Sequence, residues 1–394
     1  MPGSVIVAGA RTPIGKLQGA LAALTAMDLG GAAIRAALER AGVAPHDVDY
    51  VVMGQVLLAG VGQMPARQAA VKAGIPMSVP STIVNKVCLS GLNAIFQADQ
   101  LIATGEADVV VAGGMESMSN APYLLPDARS GMRLGNKSVV DSMMLDGLTC
   151  AFDNVAMGLG TERYARAERL TRGPQDEFAA QSHERAASAI KDGKFAEEIV
   201  AVEVPQRRGD PVLVDTDEGV RPETTAQGLG QLKASFEKDG AITAGNASQI
   251  SDGASALVMM SKTKAEELGC TPVAEVVAYG MVAGPDASLL HQPSHAIKRA
   301  LARADLSVND INLFEMNEAF AAVAIASMAD LGITDAITNV NGGAIALGHP
   351  IGASGNRLAL TLMCELRRRG GGLGAAALCG GGGQGDGIIL RVPA

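Results

Sequence analysis

The chain carries one pattern twice. Residues 33–55, AIRAALERAGVAPHDVDYVVMGQ, lie over residues 296–318, AIKRALARADLSVNDINLFEMNE, without a gap and at a constant offset of 263. Ala33, Ile34, Ala37, Leu38, Arg40, Ala41, Asp47 and Met53 recur identically in the second copy. Each copy reads as an amphipathic helix, a short polar turn and an apolar strand. Further along, TIVN (82–85) matches TNVN (338–341), and a Ser-Gly follows each: Ser90-Gly91 and Ser354-Gly355. A helical stretch and an apolar strand ending in glycines come next, ADVVVAGG (107–114) and LGAAALCGG (373–381). A chain that repeats such an alternation is restricted to two related α/β halves, here about 1–118 and 270–394. Largely parallel sheets covered by helices are expected. Residues 119–250 have no counterpart and read as an insertion on the first half, of the kind that commonly carries ligand contacts. Residues 251–269 return the chain to the scaffold.

Composition narrows the function classes. The 394 residues are 48% apolar and include no Trp, which fits a compact α/β globule rather than disorder. No apolar run reaches the roughly 18–20 residues of a membrane span. The opening MPGSVIVAGARTP runs straight into a strand-like segment, so no leader is expected. Cys88, Cys150, Cys270, Cys364 and Cys379 are odd in number and widely spaced. They suggest neither a zinc site nor a disulfide framework, and a reducing cytoplasm is the expectation. The net charge of −9 speaks against general nucleic-acid affinity. An anionic small molecule would need a local basic patch.

Where the copies differ, chemistry has room. Five positions separate Asn85 from Ser90, but thirteen separate Asn341 from Ser354; the extra stretch GGAIALGH carries His349. The first copy instead presents Cys88, in NKVCLSG. Gly54 becomes Asn317, and Cys379 falls near Ala112 or Gly113 of its repeat. All four residues are expected where a strand gives way to a loop or helix, the place where ligands gather in α/β sheets. A cysteine opening a helix has its thiolate favoured by the dipole and free amides, and an imidazole nearby could take its proton. The run CGGGGQG (379–385) contains G-x-G-x-x-G, yet an apolar strand follows it and not the helix a pyrophosphate would need. Its glycines instead suit an oxyanion-binding wall, with Cys379 as a proton carrier. Each residue also has a plain reading: free cysteines often fill cores, Asn317 could cap the following helix, and His349 could sit in an ordinary loop. Cys150, Cys270 and Cys364 read as structural, and His46 and His183 as solvated. The catalytic reading rests on the coincidence of four placements.

These residues match a known pattern. NKVCLSG resembles the nucleophile motif of thiolases, and NEAFA (317–321), GHPIGASGNR (348–357) and CGGGGQG resemble the family's other signature blocks. The likeness extends over nearly the whole chain, including GARTPIGK and GQMPARQAAVKAGIP (62–76). The resemblance implies a five-layered αβαβα thiolase fold, built from two duplicated halves with residues 119–250 as a loop domain over the CoA site. It further implies an acetyl-CoA C-acetyltransferase or 3-ketoacyl-CoA thiolase, usually a homotetramer or homodimer. No metal or permanently bound cofactor is implied; coenzyme A and acetyl-CoA enter as substrates, and neither nucleic acid nor membrane is a partner. By motif, Cys88 would be acylated with His349 activating it, and Cys379 would carry the α-carbon proton. Asn317 (through a water) and His349 would form one oxyanion hole, the backbone N–H groups of Cys88 and Gly381 the other. Ser248 would touch the pantetheine arm and Arg221 the nucleotide end. Two departures concern the acyl pocket: Ala156 stands where the family often has histidine, and LLHQP (289–293) replaces Met-Gly-x-Gly-Pro. They leave chain length and preferred direction open. Two rival readings are weaker. A ketoacyl-synthase-type condensing enzyme would have no reason to keep Cys379, and a non-catalytic acyl-CoA carrier could afford to lose the nucleophile.

Overall fold

The structure, a computed structural model, describes residues 4–394; residues 1–3 of the expected N-terminal half lie outside the described residues. The first half supplies strands β1 (Ser4–Arg11), β2 (Tyr50–Gly54), β3 (Ser81–Val84), β4 (Val109–Ser117) and β5 (Ser251–Ser261). The second supplies β6 (Ala274–Ala283), β7 (Leu313–Met316), β8 (Gly372–Gly380) and β9 (Gln384–Val392). The helices that build the layers are α1 (Ala26–Ala41), α2 (Pro65–Lys72), α3 (Ser90–Ala103), α6 (Gln292–Ala304), α7 (Ala321–Leu331) and α8 (Ser354–Arg368). Between β4 and β5 the chain runs through short hairpins, a single helical turn at Ala226–Leu229 and two longer helices, α4 (Met157–Ala167) and α5 (Arg172–Lys191).

The duplication is visible in the strand order. The first half runs β3-β2-β4-β5-β1 and the second β7-β8-β9-β6, with Phe314 bridging in parallel to Thr338 where the first half has β3. The halves join through β1 and β6 at Val5↔Glu275 and Ile6↔Ala274. Finer features repeat as well. A 3₁₀ turn at Pro45–Asp47 recurs at Val308–Asp310, and a register shift between Ile6 and Ala8 recurs between Val276 and Ala278. The sheet is mixed rather than largely parallel. Among the described strand pairs of the large sheet, β2·β3, β2·β4 and β7·β8 are parallel and the rest antiparallel; β9, for one, returns from β8 through three residues, too few for a crossover. In that turn Gly382 and Gly383 hold φ of 79° and 67°, backbone that L side chains resist. The run of glycines after Cys379 is therefore a β-hairpin.

Local chemistry sets the element ends. Helix α1 starts at a Thr25/Asp28 capping box and stops at Gly42 in the left-handed region. Its buried face joins α2 and the outer side of the first half-sheet in one core with Leu29, Ile34, Val51 and Met115. Helices α3 and α8 lie between the half-sheets, where Leu92, Ile95, Phe96, Leu358 and Leu362 pack with Val52, Val110, Ala376 and Leu378. Ile297 of α6 and Leu331 of α7 close the far side over Phe314, Ala375 and Ala377. The layers thus read α-β-α-β-α. Among the described residues, no helix is long and apolar enough to cross a membrane.

Candidate active site

The chemistry-bearing residues sit around the start of α3 and the hairpin tip of β8–β9. After β3, Val87 holds a φ of 51°, a strained setting for a β-branched side chain that throws the chain sharply into α3. Ser90 secures the bend. Its Oγ accepts from the Lys86 N–H at 2.8 Å and donates to the Val87 carbonyl at 2.6 Å. Cys88 projects from this elbow, with its own N–H and that of Gly381 aimed at its sulfur.

The thiolate expected at a helix start is not favoured here. Burial pushes the Cys88 thiol up to about 12 and outweighs both N–H groups, while nearby Glu116 adds to the rise. Cys379, fully buried, is also pushed up, first by burial and then by the neighbouring Cys88 sulfur. The two thiols, one from each half, are thus electrostatic neighbours and both protonated at neutral pH. The strand register corrects one expectation. Gly54 pairs with Gly114 and Met316 with Ala377, so the repeat counterpart of Cys379 is Met115, beyond Ala112 and Gly113.

His349 follows a short helical turn, Ala344–Leu347, rather than a strand end. Its Nδ1 lies 2.6 Å from Ser354 Oγ, whose proton goes to the Pro350 carbonyl at 3.0 Å. The hydroxyl oxygen therefore accepts from Nδ1–H, and the lone pair stays on Nε2. Burial, with Arg357 adding, pulls His349 down to about 4, so the ring is neutral. Its Nε2 faces Asn317 Nδ2 at 3.4 Å. Asn317 follows β7, and its N–H donates to the Ala377 carbonyl, two residues before Cys379. It does not cap the next helix, whose N-cap is Phe320. Its Oδ1 is buried without a hydrogen-bond partner and is free to accept one.

A groove of about 490 Å³ leads to His349 and is lined by Ala156, Met157, Phe236, Ser248, Phe320 and Ile351 among others. Cys88, half-buried, packs against the apolar cluster that includes Ile351, and Cys379, fully buried, belongs to the cluster with Phe320; both Ile351 and Phe320 line the groove. Leu289 and Leu290 of the departing LLHQP segment belong to the same cluster as Cys379. Arg221 lies apart, in a neighbouring cavity of about 380 Å³ that shares Ala244 with the groove.

Three placements escaped the sequence reading. His183 is fully buried, not solvated; its Nδ1 accepts from the Arg221 N–H at 3.1 Å, and burial together with Arg221 pulls it down to about 4. Glu116 is buried and accepts from the N–H groups of Val56, Leu57 and Gly352 at 3.0, 3.2 and 3.0 Å, tying the turn after β2 to the loop that carries His349. Glu318 accepts from Ser182 Oγ, Asn339 Nδ2 and the Ile345 N–H, joining α5 to the segment that carries Asn317. For the two glutamates the available signal was a carboxylate interrupting an apolar run, as in VVVAGGMES and LFEMNEAF.

Known proteins align with this chain over nearly its whole length. Residues 4–263 match the family pattern described as "Thiolase, N-terminal domain", and residues 270–392 match "Thiolase, C-terminal domain". A "Probable acetyl-CoA acetyltransferase" of Mycolicibacterium smegmatis is 58% identical over 387 residues, covering 98% of this chain and 100% of the relative. An "Acetyl-CoA acetyltransferase" of Cupriavidus necator is 51% identical over 388 residues, covering 98% of each. The crystal structure of the Bacillus anthracis acetyl-CoA acetyltransferase superposes with a TM-score of 0.97 at 39% identity, covering 100% of this chain and 99% of that one.

Proposed function

This chain belongs to the thiolase family, and on that premise we propose that it is an acetyl-CoA C-acetyltransferase working through an acyl-Cys88 intermediate. The observation that carries the reading is the packing of the Cys88 elbow on the hairpin that carries Cys379, 291 residues away, with Val87 over Gly381 and Leu89 over Gly380. In the first half-reaction Cys88 attacks the thioester carbonyl of an acyl-CoA. The Cys379 thiol protonates the departing CoA sulfur, and the Cys88 proton passes to Nε2 of neutral His349. Because the resting thiol is protonated, this transfer accompanies attack instead of preceding it. The Cys88 and Gly381 N–H groups would hold the oxyanion. In the second half-reaction the Cys379 thiolate left by its proton transfer to CoA takes the α-proton of acetyl-CoA, the new carbanion attacks acyl-Cys88, and the departing Cys88 sulfur recovers its proton from His349. The enolate oxygen would rest against His349 Nε2–H and Asn317. In thiolysis Cys379 returns that proton as a thiol.

The groove with Ser248 suits the pantetheine arm, and the cavity beside Arg221 suits the nucleotide end. The residue ranges 1–118, 119–250, 251–269 and 270–394 serve as scaffold, CoA-covering insertion, return and second scaffold half. CoA is the shared carrier, without a resident cofactor or metal. A reducing cytoplasm and a homotetramer or homodimer complete the reading. Mass spectrometry after incubation with acetyl-CoA tests the division of labour. Cys88→Ser should take up no acyl group and lose turnover by more than about 10³-fold, the scale of losing a covalent nucleophile. Cys379→Ser should still acylate Cys88 yet fail to condense. An unlabelled Cys379→Ser protein would overturn the assignment.

A further inference from the structure

The two sulfurs come from opposite halves, yet condensation needs them at one fixed separation. Three residues around Cys88 lie along the β8–β9 hairpin that carries Cys379. Lys86 Nζ reaches Asp386 Oδ1 at 2.7 Å. Val87 packs over Gly381, with its Cγ1 3.5 Å from where a Cβ there would stand. Leu89 fills the space over Gly380 so closely that a Cβ would meet its Cγ at 2.6 Å. Contacts therefore flank Cys88 on both sides.

The ion pair stands out among them because it is directional and enclosed. The Asp386 side chain is fully buried and that of Lys86 only 21% exposed. Asp386 follows Gly385, the cross-strand partner of Cys379. Lys86 is two residues before Cys88, and its N–H is anchored on Ser90 at the start of α3. Asn93, one turn further along α3, points its amide at the second Asp386 oxygen at 3.5 Å. The carboxylate is thus gripped from the first half alone, in a strand of the second. Neither residue belongs to the groove or touches the reacting atoms.

We propose that Lys86 and Asp386 are positioning residues for the thiolase reaction, a clamp across the two halves that holds the Cys88 elbow in register with the Cys379 hairpin. The proposal rests on the two-thiol reading above. Its consequence is selective. Cys88 keeps its own N–H, His349 and the groove, so substrate binding survives, whereas proton abstraction by Cys379 next to acyl-Cys88 suffers. A misplacement of about 1 Å can cost 10²-fold in rate.

The test is a double-mutant cycle of Lys86→Met, Asp386→Asn and the pair. It reads thiolysis kcat and KM, Cys88 acylation by mass spectrometry, and deuterium exchange at the acetyl-CoA methyl group in D₂O. Each single variant should lose about 10–100-fold in kcat and in exchange, with KM within about threefold and acylation retained. The double variant should lose no more than the worse single one, as members of one unit do. Should Lys86→Met fail to fold, Lys86→Gln, whose amide can still donate toward Asp386, replaces it and should fall between parent and Asp386→Asn. Losses confined to KM, additive losses, or kcat within twofold of the parent would overturn the clamp. A parent that forms no acyl-Cys88 would instead overturn the two-thiol reading beneath it.

Discussion

At the scale of single residues, the site runs on neutral partners. His349 is held in the Nδ1–H tautomer by one hydroxyl, Ser354, and burial keeps the ring uncharged. Ser354→Ala leaves Nδ1–H without its acceptor in a buried place and frees the ring to turn; kcat/KM for thiolysis should fall about 10–100-fold while Cys88 remains present and alkylatable. The pH dependence of stability has a definite sign. The folded value of His349, about 4, lies below the ordinary 6.5, so between those values the unfolded chain binds the extra proton. Acidification through pH 6.5 to 4 therefore favours unfolding through this group. The stability of the parent relative to His349→Gln should drop by up to about 1.4 kcal/mol per pH unit across that window, as read by urea unfolding. A flat difference would mean that the ring is already charged. Cys88 behaves in the opposite manner to a helix-activated thiolate. With its thiol pushed up to about 12, alkylation by iodoacetamide should climb steadily from pH 6 to 9 without a plateau.

At the scale of elements, carboxylates hold the parts in place. Glu116 accepts three backbone N–H groups from two separate segments, one of them next to the His349 loop. Glu116→Gln sets an amide N–H₂ against at least one of those donors. It should cost about 1–3 kcal/mol in urea unfolding and lower kcat/KM about tenfold or more, since the loop that carries His349 loses its tether. Such a residue is hard to see in a sequence. The duplicated helix-turn-strand units were legible because each residue's face follows from its own periodicity, and Cys88, Asn317, His349 and Cys379 were legible because the copies differ there. Glu116 and Asp386 are single carboxylates in apolar strands and Glu318 lies just past the end of one, and their meaning lies in partners up to three hundred residues away. His183 was misread for a related reason: α5 is polar on much of its surface, and the hydrogen-bonding partner of its histidine is Arg221, which belongs to no pattern on the helix. The thiolate failed because a helix start is visible in sequence, whereas the packing that crowds Cys88 comes from segments far away in the chain.

At the scale of the whole molecule, the halves share an inner layer of helices packed between them. Helices α3 and α8 meet at their starts, where the two Ser-Gly repeats face each other. A Cβ on Gly91 would stand 2.8 Å from the Asn356 nitrogen, and one on Gly355 would stand 2.5 Å from the Leu92 nitrogen. Only glycine permits that approach, and it brings the start of α3, just after Cys88, against the start of α8, where Ser354 holds His349. Phe96 of α3 stacks on Tyr279 of β6 with ring centroids 4.3 Å apart, a second tie between first half and second. Leu92, fully buried, lies in the core shared by both sheets. If that layer makes the halves one folding unit, Leu92→Ala should cost about 2–5 kcal/mol wherever stability is read, not only in the half that carries the substitution. Hydrogen exchange resolved by peptide separates the alternatives. Protection in β7, β8 and β9 should fall by the same free energy as in β2 and β4, because globally exposed amides report the stability of the whole unit. Loss of protection restricted to peptides before residue 270 would mean that the halves unfold independently. The meeting of two thiols from opposite halves would then depend on docking rather than on folding.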